Sequence, residues 1–259
     1  MSLFRFFRSL LPRELEIPRD PMSRILAATG YFRLRTMLAN KGTSVRDIDL
    51  YRPLFSPWEG EADFKRLHDP IRACTLVSPE RCWMLLHLMR HALALPGDFA
   101  EFGVFRGGTA LLAAEILRDA GDVRSLHLFD SFAGMPVTSA GEPFTKGDFG
   151  QTSEAAVRAL LAPTGARAVF HAGYIPDTFQ NLEIPQLAFA HVDVDLYQSV
   201  LDSIEFVYPR LVPGGLLVFD DYGFPSCTRA REATDQAFAG RREKPIYLST
   251  GQALVLKLP

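Results

Sequence analysis

Phe99-Ala100-Glu101-Phe102-Gly103-Val104-Phe105-Arg106-Gly107-Gly108-Thr109 opens on a short apolar run, passes through a glycine-rich turn and leaves on the first residues of a helical pattern. In open α/β sheets ligands bind outside the carboxyl ends of the strands, where glycines let the backbone come close. Outward from this stretch the same alternation repeats. Phe99 to Val104, Ser125 to Asp130, Ala168 to Ala172, Leu187 to Val192 and Gly215 to Phe219 read as strands. Helical segments lie near Gly108 to Asp119, Thr152 to Leu161, Tyr197 to Leu211 and Ser226 to Ala239. This spacing predicts a mostly parallel, doubly wound α/β sheet with helices on both faces. Ile246 to Leu248 and Ala253 to Leu258, separated by the turn-sized Ser249-Thr250-Gly251-Gln252, predict an antiparallel hairpin at the C-terminal end of the sheet.

Upstream the chain reads differently. Pro12, Pro18, Pro21, Pro53, Pro57 and Pro70 punctuate short amphipathic stretches, which predicts an N-terminal helical extension, an arm or cap over residues 1–74 ahead of an α/β domain over 75–259. Phe4 to Leu11 has helical apolar spacing; packing against the body or a sister subunit suits it better than a membrane surface, because two arginines anchor weakly. Ser78-Pro79-Glu80-Arg81 is a helix start with Ser78 at the N-cap, and the helix runs to about Leu95.

Composition excludes several classes of function. Lys and Arg number 28 against 30 Asp and Glu, a net charge of −2, and no dense basic run offers phosphates a partner, so nucleic acid is not expected. The longest apolar runs fall far short of the roughly 20 residues that a membrane-spanning helix needs. Cys74, Cys82 and Cys227 form no Cys-x-x-Cys pair, and the opening Met-Ser-Leu-Phe-Arg-Phe-Phe-Arg lacks the form of a secretory signal. The expected compartment is the cytoplasm, with reduced thiols.

Three constellations carry chemistry. The turn after Phe102 is not the dinucleotide pattern, since Gly103, Gly107 and Gly108 do not fit Gly-x-Gly-x-x-Gly. Glu101 beside it would repel a pyrophosphate and suits a cationic amino group. Asp130 ends the second strand, where an acid either holds a ribose diol or caps the following loop. Together they describe a pocket for a nucleoside whose other end is positive, which S-adenosylmethionine fits better than NAD. The third is His191-Val192-Asp193-Val194-Asp195 with Phe219-Asp220-Asp221-Tyr222. Successive parallel strands bring these ends together, and converging carboxylates repel unless a cation sits among them; oxygen ligands select a hard ion such as Mg²⁺. Asp195, two residues beyond Asp193, points to the same side of an extended strand and is free to act as a base. His191 reads as a packed core histidine.

The ordered motifs Glu-x-Gly-Val-x-Arg-Gly-Gly-Thr, Phe-Asp-Ser-Phe-x-Gly-Met-Pro, His-Val-Asp-Val-Asp-Leu-Tyr and Phe-Asp-Asp-Tyr, with Thr75-Leu76-Val77-Ser78-Pro79-Glu80-Arg81 upstream, resemble those of the macrocin-type (TylF/MycF-like) sugar O-methyltransferases. The resemblance covers about Thr75 to the C-terminus. It implies a Rossmann-like class I methyltransferase fold that moves a methyl group from S-adenosylmethionine to a hydroxyl of a sugar or glycosylated natural product. It further implies that Thr75 and the turn with Glu101, Gly103, Val104, Phe105 and Thr109 hold the methionine end. Asp130 would then bind the ribose, with Ser131, Phe132 and Gly134 lining the nucleoside and Asp148 and Tyr174 near the adenine. Asp193, Asp220 and Asp221 match the family's magnesium ligands and Asp195 its general base, and a homo-oligomer is expected. The partner is a small-molecule or glycan hydroxyl acceptor. Alternatives are a catechol-type phenol O-methyltransferase and a non-catalytic cofactor-binding or assembly protein. The glycines and prolines between Met135 and Gly150 read as a mobile lid or an ordinary surface loop.

Overall fold

A computed structural model describes residues 56–139 and 141–259, and Pro57–Pro259 form a compact unit. The readings made upstream of residue 56, Phe4 to Leu11 among them, lie outside the described residues. The strands are β1 (Asp98–Phe102), β2 (Ser125–Asp130), β3 (Arg167–Ala172), β4 (Leu187–Val192), β5 (Leu211–Phe219), β6 (Ile246–Tyr247) and β7 (Ala253–Leu256). The α-helices are α1 (Ala62–His68), α2 (Pro79–Ala92), α3 (Gly108–Ala120), α4 (Glu154–Leu161), α5 (Tyr197–Val207) and α6 (Thr228–Phe238).

The strands form one sheet in the order β3-β2-β1-β4-β5-β7-β6. All pairs from β3 to β5 are parallel, and β7 is antiparallel to both β5 and β6, as the hairpin reading expects. The chain builds outward from β1 to β3, then crosses back to place β4 on the other side of β1. The carboxyl ends of β1 and β4 therefore flank the point where strand order reverses, the crevice such sheets use for ligands.

Alternation along each strand makes two cores. Phe99, Phe189, Leu216 and Val218 belong to the one packed with α1, α2 and α3, while Ala100, Phe102, Val192, Leu217 and Phe219 belong to the one packed with α5 and α6. The second core holds an aromatic pile directly under the strand ends. Phe102 stacks on Phe129 with centroids 4.6 Å apart, and Phe179 stacks on Phe206 at 4.3 Å. Each such pair contributes about 0.5–1.5 kcal/mol beyond area burial, a rigid footing for the loops above.

Of the stretch read as an arm, the described part is helical, and Phe64, Leu67 and Ile71 are buried in the same core as Leu86 and Leu112. Arg124 ties the end of α2 to β2: its guanidinium donates to the carbonyls of Leu93 (3.1 Å) and Gly97 (2.9 Å), pairs with Asp122 and lies 4.9 Å from the Phe99 ring centroid. The bond to Leu93, the C-cap of α2, satisfies a carbonyl that a helix C-terminus leaves without a partner. At the other end of α2, Pro79 occupies the first turn as read, yet the Ser78 hydroxyl accepts from Arg81 Nε (3.2 Å) rather than capping the helix backbone.

Candidate active site

The turn after β1 needs its glycines. Gly103 has φ +86°, and a Cβ there would lie 1.9 Å from the Asp193 carbonyl oxygen, so only glycine lets the β1 and β4 ends approach this closely. Gly107 is the left-handed N-cap of α3, and a Cβ on Gly108 would meet Thr75 at 2.6 Å. Thr75 is thereby pressed against the start of α3, with its hydroxyl accepting from Val77 N (3.0 Å).

Asp130 closes the turn. One carboxylate oxygen accepts from the N–H groups of Val104 (2.8 Å) and Phe105 (2.9 Å), the other from Phe132 N (2.6 Å). The cap reading is realised, and the same carboxylate also faces the cavity. Phe105 and Phe132 hold left-handed conformations, with φ +50° at each. Such backbone strain, on the order of 1–3 kcal/mol per residue, persists where the surroundings over-determine it.

These elements wall a cavity of about 340 Å³ over the carboxyl ends of β1, β2 and β4. Of the residues read from the sequence, Thr75, Gly103, Val104, Phe105 and Thr109 line its β1 side, and Asp130, Ser131, Gly134 and Tyr174 line its β2 and β3 side. Asp193, Asp195 and Asp221 line it from β4 and β5. Glu101, Phe132, Asp148 and Asp220 stand off the wall. Phe132 packs near Phe170, and Asp148 accepts from Thr145 N (2.8 Å) within its own loop.

Glu101 and Asp220 lie beneath the cavity, joined by a histidine. The parallel register sets Glu101 opposite His191, and the His191 ring reaches Glu101 Oε1 through Nδ1 (3.0 Å) and Asp220 Oδ1 through Nε2 (3.3 Å). His191 is buried as read, but it bridges two carboxylates rather than filling apolar space. Burial alone would lower its pKa; the hydrogen bonds to Asp220 and Glu101 overcome this and push it up to about 10. Glu101 Oε2 is buried with no hydrogen-bond partner.

Asp220 also accepts from Gln252 Nε2 (2.8 Å) and pairs with Arg81 Nη1. Burial would raise its pKa, but His191, Arg81 and Gln252 hold it below the ordinary carboxylate value. Asp193 is the opposite case: among the described residues nothing hydrogen-bonds its carboxylate, and burial with the charges of Asp220 and Asp221 pushes its pKa well up. Asp221 is raised by burial and by the charges of Asp195 and Asp220. Ligand atoms of His191, Asp193 and Asp220 all lie within 4.8 Å of one another, as do those of Asp195, Asp221 and Cys227. The acidic cluster thus divides into two neighbouring groups, and the trio expected from the sequence is split between them: Asp193 and Asp220 fall in one, Asp221 in the other. The raised, under-partnered carboxylates of Asp193 and Asp221 are oxygen donors short of positive charge, which fit a hard divalent cation.

Asp195 departs from its sequence reading. β4 ends at Val192, and Asp195 has φ +58° in the following turn, so it is not on an extended strand with Asp193. Its N–H donates to Asp221 Oδ2 (3.1 Å), and its Oδ1 accepts from the Cys227 thiol (3.4 Å). Burial, with the charge of Asp220, pushes its pKa up to about 6 although the thiol contact opposes this.

Sequence reasoning gave no role to Arg81 or Cys227, both of which line the cavity. Arg81 closes the Thr75–Arg81 run, a usable signal; Cys227 carried none. The loop after β2 supplies Met135, Pro136, Phe144 and Phe149 to the wall and is tied to itself by Met135 N to Asp148 O (2.8 Å) and Gly147 N to Met135 O (3.0 Å). Glu142, from the same loop, accepts from Tyr197 N (3.1 Å) at the start of α5.

Comparison with known proteins agrees with this geometry. The chain is 33% identical over 175 residues, 62% of its length and 67% of the relative's, to the 8-demethyl-8-(2,3-dimethoxy-alpha-L-rhamnosyl)-tetracenomycin-C 4'-O-methyltransferase of Streptomyces olivaceus. It is 33% identical over 178 residues, 62% and 70% of the two chains, to the mycinamicin III 3''-O-methyltransferase of Micromonospora griseorubida. Among solved structures, the O-methyltransferase NovP superposes with a TM-score of 0.66 at 25% identity, over 75% of this chain and 88% of that one. The calicheamicin methyltransferase CalS11 shares the fold, with a TM-score of 0.60 at 18% identity over 95% and 98%. Residues 58–237 match the family described as Macrocin-O-methyltransferase (TylF). The chain belongs to this family and is an S-adenosylmethionine-dependent O-methyltransferase of the class I fold.

Proposed function

We propose that the enzyme moves a methyl group from S-adenosylmethionine to a sugar hydroxyl of a glycosylated natural product in the cytoplasm, with a hard divalent ion, Mg²⁺, at Asp193, Asp220 and Asp221. The observation that carries this reading is the meeting of Asp193, Asp195 and Asp221 with the Gly103–Thr109 turn and Asp130 around one cavity. Support for the acceptor class comes from the relatives' names, which specify a rhamnosyl tetracenomycin and a mycinamicin.

The glycine turn and Asp130 are the residues that would hold the donor, across the cavity from Asp193, Asp195 and Asp221. Glu101, whose Oε2 is buried without a hydrogen-bond partner beside the turn, would complement the donor's cationic end. A divalent ion, when bound, lowers the pKa of a neighbouring hydroxyl and stabilises the developing negative charge. Asp195 accepts the proton of the reacting hydroxyl at a carboxylate oxygen, and its turn, pinned by Asp221, fixes where that oxygen points. Positioning of the acceptor against the donor supplies the rest of the acceleration.

The test is methyl transfer from isotopically labelled S-adenosylmethionine to a panel of macrolide and anthracycline-type glycosides, with a simple catechol and the free aglycones alongside, before and after EDTA. Expected is methylation of a glycoside sugar that EDTA abolishes and Mg²⁺ restores. The Asp195→Asn variant should bind S-adenosylhomocysteine as the wild type does while kcat falls by about 10²–10⁴-fold. Methylation of catechol at the glycoside rate, or full turnover in Asp195→Asn, would overturn the acceptor or the base assignment respectively.

A further inference from the structure

Arg81 reaches the acidic cluster from the first turn of α2, and every polar atom of its guanidinium has a partner. Nε donates to Ser78 Oγ (3.2 Å), Nη2 to the Leu76 carbonyl (2.9 Å) and Nη1 to Asp220 Oδ2. The group lies 4.7 Å from the centroid of the Phe224 ring, and the side chain is 12% exposed on the cavity wall. Asp220 is completely buried, and its two oxygens have different tasks. Oδ1 is held from below by Gln252 Nε2 (2.8 Å) and His191 Nε2 (3.3 Å), which leaves Oδ2, the oxygen that Arg81 holds, for any ligand in the cavity. Asp193 beside it has no comparable partner among the described residues.

A divalent ion drawing on Asp220 from the cavity side needs the oxygen that Arg81 already occupies. Two cations on one carboxylate oxygen repel each other strongly in a buried site. We infer that Arg81 is a built-in counter-ion that competes with the metal for Asp220 Oδ2: a positioning residue that keeps Asp220 oriented and sets how tightly the divalent ion binds. This rests on the metal reading proposed above. It assigns Arg81 a role opposite in sign to that of a ligand or a packing residue, since losing either of those weakens metal binding, whereas losing a competitor strengthens it.

The experiment is a titration of the full-length wild type and Arg81→Met with MnCl₂, read by loss of the free-ion electron paramagnetic resonance signal, with thermal melts confirming that both are folded. Arg81→Met should bind Mn²⁺ about tenfold more tightly, the factor expected when one charge-assisted hydrogen bond no longer has to be broken. Arg81→Gln, which keeps a donor for the Leu76 carbonyl, carries the same expectation and stands in if Arg81→Met does not fold. An unchanged or weaker affinity in a natively melting variant overturns the inference. Absence of Mn²⁺ binding in the wild type and the variant alike removes the metal reading itself and the inference with it, whereas wild-type binding that Arg81→Met leaves unchanged or weakens overturns the inference alone.

Discussion

Single residues show most clearly how the environment sets chemistry here. His171 and His127 lie side by side on β3 and β2, their rings 3.0 Å apart at His127 Nδ1 and His171 Nε2, and His171 stacks on Phe129. Burial lowers both, with Asp98 opposing it at His127; His171 falls to about 4, helped by the neighbouring His127. The folded chain therefore resists a proton at His171 until about pH 4, whereas the unfolded chain accepts one near pH 6.5. Stability from this group is complete above the unfolded value and is lost progressively as the pH falls from about 6.5 to about 4. Melting temperatures across that window should decline less steeply for His171→Phe than for the wild type. Parallel curves would show that His171 is not the source. A similar contrast explains what was legible at this scale. Asp193, Asp220 and Asp221 could be found because strand ends announce themselves in a sequence. The bridge through His191 and the pairing of Arg81 could not, since both depend on partners set by register or by helix placement: Glu101 is 90 positions from His191, and Asp220 is 139 from Arg81.

At the scale of elements, the site depends on how closely β1 and β4 leave the sheet together. Short apolar runs and helix periodicity located nearly every strand and helix, with β2 and β4 matching residue for residue, because central parallel strands are buried on both faces. The helix expected over Tyr197 to Leu211 stops at Val207, and Leu211 instead opens β5. The turns were harder. The spacing of Asp195 from Asp193 predicts a continuing strand, but the chain turns after Val192, and nothing in Asp193-Val194-Asp195 marks a left-handed residue. Gly103 is the element-scale requirement that did show in the sequence. Its substitution by alanine should be among the most damaging single changes in the chain: the new Cβ would overlap the Asp193 carbonyl at 1.9 Å and strain the left-handed backbone. The expected loss is on the order of 4 kcal/mol or more, read as a drop in the urea midpoint. Any variant that still folds should lose affinity for S-adenosylhomocysteine, because the turn and the Asp193 carbonyl can only separate by moving the cavity wall. A Gly103→Ala protein with wild-type midpoint and affinity would show that the close approach is dispensable.

For the molecule as a whole, one sheet brings two chemistries to one edge. The β1 and β2 ends provide a glycine turn and an acid for a nucleoside, and the β4 and β5 ends provide carboxylates short of positive charge. The reversal of strand order between β1 and β4 joins them into one cavity. The parallel sheet and the meeting of acids at successive strand ends followed from the sequence, whereas the reversal of strand order between β1 and β4 became visible only in the fold. The acceptor did not, since that part of the cavity is shaped by loops and side chains whose spacing carries no code. The most direct test of the joint account is calorimetry: titrate S-adenosylhomocysteine and then MgCl₂ into the wild type and into Asp193→Asn, which removes the least-partnered carboxylate while leaving the Arg81, His191 and Gln252 contacts of Asp220 in place. The account predicts that both ligands bind the wild type, and that the variant keeps its S-adenosylhomocysteine affinity but gives no metal heat. Equal metal binding by the two proteins would contradict it.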